Sequence, residues 1–165
     1  GPIADLGCGP GHVAAFLAAA GASVAGFDLS GGMVAQARQR YPALPFCQAD
    51  LRSLPVADAS FGGIVAFYSI IHLAEGELVP AFAEWRRALR PGGLALVAFH
   101  IGEMVVHLEE WWQQPVELDF RFLPIEQVTA ALSQAGLAIE AVLQRAPYPG
   151  AEHPSQRGYV LVRKT

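Results

Sequence analysis

Three glycines spaced two apart, Gly7, Gly9 and Gly11, stand between a short apolar run, Ile3-Ala4-Asp5-Leu6, and an alanine-rich stretch, Val13 to Ala20. A turn stripped of Cβ atoms takes backbone angles closed to other residues and lets a ligand approach the main chain. The order reads as strand, tight turn and helix, with the free N–H groups of the helix aimed into the turn. Open α/β sheets bind nucleotide-like ligands at such a turn, at the carboxyl end of a strand.

The spacing separates two kinds of pocket. A dinucleotide site uses Gly-x-Gly-x-x-Gly, which seats pyrophosphate on the helix N-terminus. Here the pattern is Gly-x-Gly-x-Gly, and His12 stands where the third dinucleotide glycine would fall. Asp5, two residues before Gly7, is a poor neighbour for pyrophosphate and a good one for an ammonium group. Cys8, inside the turn, reads as a small filler rather than a nucleophile.

Gly21 fits the end of the first helix, where a left-handed residue is favoured. Ala22 to Phe27 reads as a buried parallel strand. It runs into Asp28, with Leu29 beside it, about where nucleotide folds place a ribose-binding carboxylate. The same Asp could be a turn residue or a helix cap. Ser30 is a good N-cap for a second helix through Met33 to Arg40, and Met33 falls either at the mouth of an adenosine pocket or in the core. Leu44 to Ala49 reads as a third strand, closed by Asp50-Leu51.

Asp5-Leu6-Gly7-Cys8-Gly9-Pro10-Gly11 resembles the first motif of the class I S-adenosylmethionine-dependent methyltransferases of the small-molecule type. Arg90-Pro91-Gly92-Gly93 resembles the family's turn into strand five, and the likeness extends over essentially the whole chain. It implies S-adenosylmethionine as cofactor and S-adenosylhomocysteine as product. It further implies that Asp5 and the backbone around Gly7 meet the methionine ammonium, that the glycines and Cys8 among them line the cofactor, and that Asp28 holds its ribose with Leu29 also at the cofactor. Asp50 would accept from the adenine amine, while the Leu51 N–H reaches a ring nitrogen. The backbone at Ala66–Phe67 would skirt the methionine, and Tyr68 to His72 would face methyl transfer. Family members usually carry helices before the first strand, and these are absent from the sequence.

On the acceptor side, His72 can act as a general base or serve as a pocket wall. Residues 100–123 read as the least regular segment, facing substrate, with Tyr68, His100, Trp111 and Trp112 as candidate contacts. A metal site among its His and Glu residues lacks ligand spacing on a single helix, so no metal is expected. Pro124 suits the start of a helix to about Ala135. Leu137 to Gln144 and Tyr159 to Arg163 leave no room for a crossover helix and must pair antiparallel. Their connection, residues 145–158, is long enough to be functional.

The expected fold is α/β, a Rossmann-like, seven-stranded, mostly parallel sheet in the order 3-2-1-4-5-7-6. Its last strand is antiparallel and helices cover both faces. At 165 residues one domain suffices. The net charge of −4 argues against a nonspecific nucleic-acid partner. No apolar run is long enough to span a membrane, no signal peptide opens the chain, and two cysteines suit a reducing cytoplasm. The expected partner is a small-molecule methyl acceptor, with the chain a monomer or homodimer. Two rival readings remain: a noncatalytic S-adenosylmethionine-binding module or fragment, and an NAD-dependent oxidoreductase, disfavoured by the glycine spacing and the terminal hairpin.

Overall fold

Ile3–Leu6 forms β1, and it is buried because strands flank it on both sides in the computed structural model, which describes residues 1–111 and 114–165. Helix α1 (His12–Ala19) follows, then β2 (Val24–Asp28), α2 (Gly31–Arg40) and β3 (Phe46–Gln48). The sheet continues with β4 (Phe61–Phe67), α3 (Leu78–Ala88) and β5 (Leu89–His100). It is completed by α4 (Ile125–Gln134), β8 (Leu137–Arg145) and β9 (Arg157–Lys164). Between β5 and α4, β6 (Val105–Trp111) and β7 (Gln114–Arg121) form a separate two-stranded sheet. The large sheet has the order β3-β2-β1-β4-β5-β9-β8. With the inserted pair set aside, this is the order expected from the sequence. Strands β1 to β5 are parallel, and β9 runs antiparallel between β5 and β8.

Local chemistry explains the boundaries. Ser30 caps α2 by accepting from the Met33 N–H at 3.3 Å. Gly21, at φ 90°, ends α1: its N–H bonds Ala18 and the Ala22 N–H bonds Leu17. That paired arrangement satisfies the last carbonyls of the helix. On α3, Leu78, Ala81, Phe82, Trp85 and Ala88 make one buried stripe. Trp85 is fully buried, and its indole N–H donates to the Leu51 carbonyl at 2.9 Å. It is a core residue that also fixes the loop after β3.

Two expectations need correction. The Arg90-Pro91-Gly92-Gly93 turn does not precede strand five but is carried within β5 as a bulge. The two-residue advance from Phe61 to Gly63 on β4 spans Leu89 to Leu94 on β5, and Gly92, at φ 75°, takes the extra bend. Residues 100–123 are not irregular but hold the β6–β7 hairpin. The sequence carried its signal: Val116, Leu118, Phe120 and Phe122 alternate with Glu117, Asp119 and Arg121, the period of a strand with one apolar face. Among the described residues, no helix is long and apolar enough to cross a membrane.

Candidate active site

The carboxyl ends of β1, β2, β3 and β4 bring the candidate residues to one edge of the sheet. Gly7, Gly9 and Gly11 all have positive φ, at 71°, 51° and 88°, so the turn is left-handed at each glycine. They do different work. A Cβ on Gly7 would lie 2.2 Å from Ser69 Cβ, and one on Gly11 would strike the Phe46 and Tyr41 rings. A Cβ on Gly9 would meet nothing within 4 Å. Gly7 and Gly11 are required by packing; Gly9 borders open space.

Asp5 lies behind the turn, 1 % exposed, and its Oδ2 accepts from the Ala14 N–H at 2.9 Å. One helix N–H expected to point into the turn is thus taken by this carboxylate. Burial pushes the Asp5 pKa up to about 7, against the Ala14 hydrogen bond that lowers it; the Asp28 charge adds to the rise. Among the described residues no ion pair is formed by this acid. The Cys8 thiol, buried, is pushed up to about 12 by burial first and then by the charges of Asp5 and Asp28. It stays protonated and fills space, as expected.

Asp28 ends β2 half-buried. Its Oδ2 accepts from the Gly9 N–H and its Oδ1 from the Ser30 N–H, both at 2.8 Å. It is therefore a turn residue and also a link between the glycine turn and the start of α2. Each oxygen retains a lone pair for a hydroxyl. Leu29 is exposed at its side and Met33 half-buried on the first turn of α2.

Asp50 is less free than the sequence suggested. Arg52 folds back through a tight turn, donating from Nε at 2.9 and 3.0 Å and from Nη2 at 2.6 Å to the Asp50 carboxylate. Arg52 also pairs with Glu77. These hydrogen bonds hold the Asp50 carboxyl below its ordinary range. An adenine amine there would share the carboxylate with a guanidinium. Leu51 is half-buried, with its carbonyl bound to Trp85.

Ala66 is buried and Phe67 half-buried at the end of β4. Tyr68 follows at φ 55°, a conformation costly for a bulky residue and concentrated at functional sites. Its N–H is held by the Ala98 carbonyl at 2.8 Å. Sequence reasoning placed Ser69 in the stretch expected to face methyl transfer but gave it no role of its own. Its hydroxyl is buried without a hydrogen-bond partner among the described residues, packed over Gly7. No composition or spacing rule marks a lone serine after a strand.

His72 sits in a single 3-10 turn, Ile70–His72. Its Nδ1 lies 3.0 Å from the Asp119 carbonyl, and its ring stands edge-on to Phe120 at 4.8 Å. A carbonyl can only accept, so Nδ1 carries the proton and Nε2 is the basic nitrogen. The β6–β7 hairpin thus orients a histidine far from it in sequence. His100 stacks between Tyr68 and Phe122, at 4.8 and 5.3 Å between ring centroids. Burial first, then the Arg157 charge, lowers its pKa to about 4. Trp111 closes β6, and Trp112 lies outside the described residues.

Comparison with known proteins finds methyltransferases. A family model described as "Methyltransferase domain" matches residues 3–93. The chain is 32 % identical over 152 residues to a malonyl-[acyl-carrier protein] O-methyltransferase of Enterobacter lignolyticus, covering 91 % of this chain and 59 % of that one. It is 36 % identical over 96 residues to a demethylmenaquinone methyltransferase of Beutenbergia cavernae, covering 58 % and 39 %. The chain thus spans less than two thirds of the length of these relatives. A crystal structure of a SAM-dependent methyltransferase from Methanosarcina mazei superposes with a TM-score of 0.87 at 16 % identity, over 99 % of this chain and 92 % of that one.

Proposed function

Because the chain belongs to the class I S-adenosylmethionine-dependent methyltransferases, we propose that it transfers a methyl group from S-adenosylmethionine to a small-molecule acceptor. The observation that carries this reading is the glycine turn: open space over Gly9, an uncompensated buried acid at Asp5, and the Asp28 carboxylate at its rim. The orphaned Ser69 hydroxyl at Gly7 also fits a polar ligand better than an empty turn. The two curated relatives support methyl transfer, but their names give different acceptors.

Bound S-adenosylmethionine supplies a methyl group already activated by its sulfonium. The residues then bind and orient. Asp5 faces the ammonium, Asp28 the ribose hydroxyls, and Asp50 with the Leu51 backbone the adenine edge. Met33 and Leu29 flank the adenosine, and the Ala66–Phe67 backbone runs along the methionine. Alignment of an acceptor with the sulfur–methyl axis is the main source of rate. His72, with Nε2 unprotonated, can take the acceptor's proton.

A thermal-shift panel tests this reading against its rivals. S-adenosylhomocysteine at about one hundred times its dissociation constant stabilises by roughly 2.7 kcal/mol. That is a rise on the order of 5–10 °C for a domain of this size. NAD is expected to give none; a rise with NAD alone would overturn the assignment. Asp28→Ala is expected to weaken S-adenosylhomocysteine by about 1–3 kcal/mol, and unchanged affinity in calorimetry would remove Asp28 from the site. His72→Ala is expected to leave that affinity nearly intact. Loss of cofactor binding in this variant would move His72 off the acceptor side.

A further inference from the structure

Arg145, the last residue of β8, and Arg157, the first of β9, begin hydrogen-bond chains that end on the acceptor side of the sheet. Arginine only donates, which fixes the first bond of each chain. Arg157, 3 % exposed, places Nη1 at 3.0 Å from His100 Nδ1, and Ser155 Oγ lies 2.8 Å from the same nitrogen. His100 Nδ1 must therefore accept, and its proton sits on Nε2, which has no partner among the described residues. Arg145 Nη2 donates to the Tyr159 hydroxyl at 2.9 Å, and that hydroxyl lies 3.5 Å from the Tyr68 hydroxyl. Tyr159 accepts from Arg145, and in its contact with Tyr68 either hydroxyl can be the donor.

The Tyr68 and His100 rings are neighbours, and Ser69, next to Tyr68, packs on the glycine turn. The left-handed backbone of Tyr68 is the cost of that placement. The groups facing His100 are Tyr68, Phe122, His153, Ser155 and Arg157, with Glu152 near Arg157 at 3.9 Å. None of them is an acceptor bound to Nε2.

We propose that His100 Nε2–H, with the Tyr68 hydroxyl on the neighbouring ring, forms a subsite for an sp² oxygen, carbonyl or carboxylate, of the methyl acceptor. This assignment rests on the methyltransferase reading. Arg157 is a positioning residue: it fixes the His100 donor without touching the ligand. The N–H groups of an amine acceptor would find no acceptor at His100 Nε2–H.

Nitrogen-15 spectra of the histidine side chains in the full chain read the tautomers directly. The expected result at neutral pH is His100 protonated on Nε2 alone. A His100 proton on Nδ1 would overturn the subsite whether or not cofactor binds. Butyrate, butanone and butylamine are then titrated into the protein saturated with S-adenosylhomocysteine. Butyrate or butanone is expected to shift the His100 resonances, and which of them does so tells carboxylate from carbonyl; butylamine is expected not to. Tyr68→Phe and His100→Asn are each expected to weaken the effective probe roughly two- to tenfold while S-adenosylhomocysteine still binds. Equal response to butylamine, or none to all three probes, overturns the subsite alone. Failure of S-adenosylhomocysteine to bind overturns the methyltransferase reading instead.

Discussion

Gly9→Ala is expected to fold with a loss of about 1–2 kcal/mol and yet to lose S-adenosylhomocysteine affinity by about a hundredfold, or roughly 2.7 kcal/mol. Gly7→Ala is expected to lose the fold itself. The two glycines share a left-handed backbone, whose cost to a residue with a Cβ is about 1–2 kcal/mol. They differ in what the added methyl meets. At Gly9 it enters the space proposed for the cofactor, with no protein atom within 4 Å. At Gly7 it collides with Ser69 Cβ at 2.2 Å. Ser69 belongs to the segment that follows β4 and cannot withdraw without moving it. Overpacking of this kind adds about 1–3 kcal/mol. Urea melts of the two variants, with calorimetry of Gly9→Ala, check the pair. A Gly9→Ala protein that binds S-adenosylhomocysteine normally would empty the turn of its assigned ligand.

The second large effect concerns Asp5. Its pKa rises from 3.8 to about 7 on folding. Between those values the folded chain holds a proton that the unfolded chain has released. Stability therefore falls as pH rises from about 4 to 7 and is level above that, as far as this group acts. Roughly three units correspond to about 4 kcal/mol. Asp5→Asn keeps an oxygen for the Ala14 N–H and removes the titration. It is expected to be distinctly more stable than the parent at pH 8 and little changed at pH 4. It is also expected to bind S-adenosylhomocysteine more weakly, having lost the partner of the ammonium. The parent should release a proton on binding near pH 7, seen as a dependence of the calorimetric heat on buffer ionisation enthalpy. A flat difference in melting temperature between variant and parent from pH 4 to 8 would show that Asp5 ionises normally.

The glycine turn, Asp5 and Asp28 could be read from spacing because local geometry sets them: a strand, a turn without Cβ atoms and the next strand end fix their neighbours. The strand order was legible for a similar reason, since short apolar runs and the missing crossover between β8 and β9 leave few topologies. The engagement of Asp50 was not legible. Nothing in Asp-Leu-Arg says whether the guanidinium folds back or reaches solvent, and Glu77, a residue of another element, helps to hold it. The hairpin showed an alternating pattern, obscured by the Glu109-Glu110 pair at its irregular register. The fixed tautomers of His72 and His100 depend on contacts spanning 47 to 57 positions, which no local pattern contains.

Strand β9 follows β8 in the sequence but lies between β8 and β5 in the sheet. A chain emerging from the ribosome therefore presents the glycine turn and all five parallel strands while one flank of β5 is still bare. Strand β8 cannot fill that place, for it must wait to be docked through its successor. Until residues 157–164 arrive, His100 has no arginine behind it. The nascent protein would thus gain its glycine-turn half first and the far edge of its sheet last.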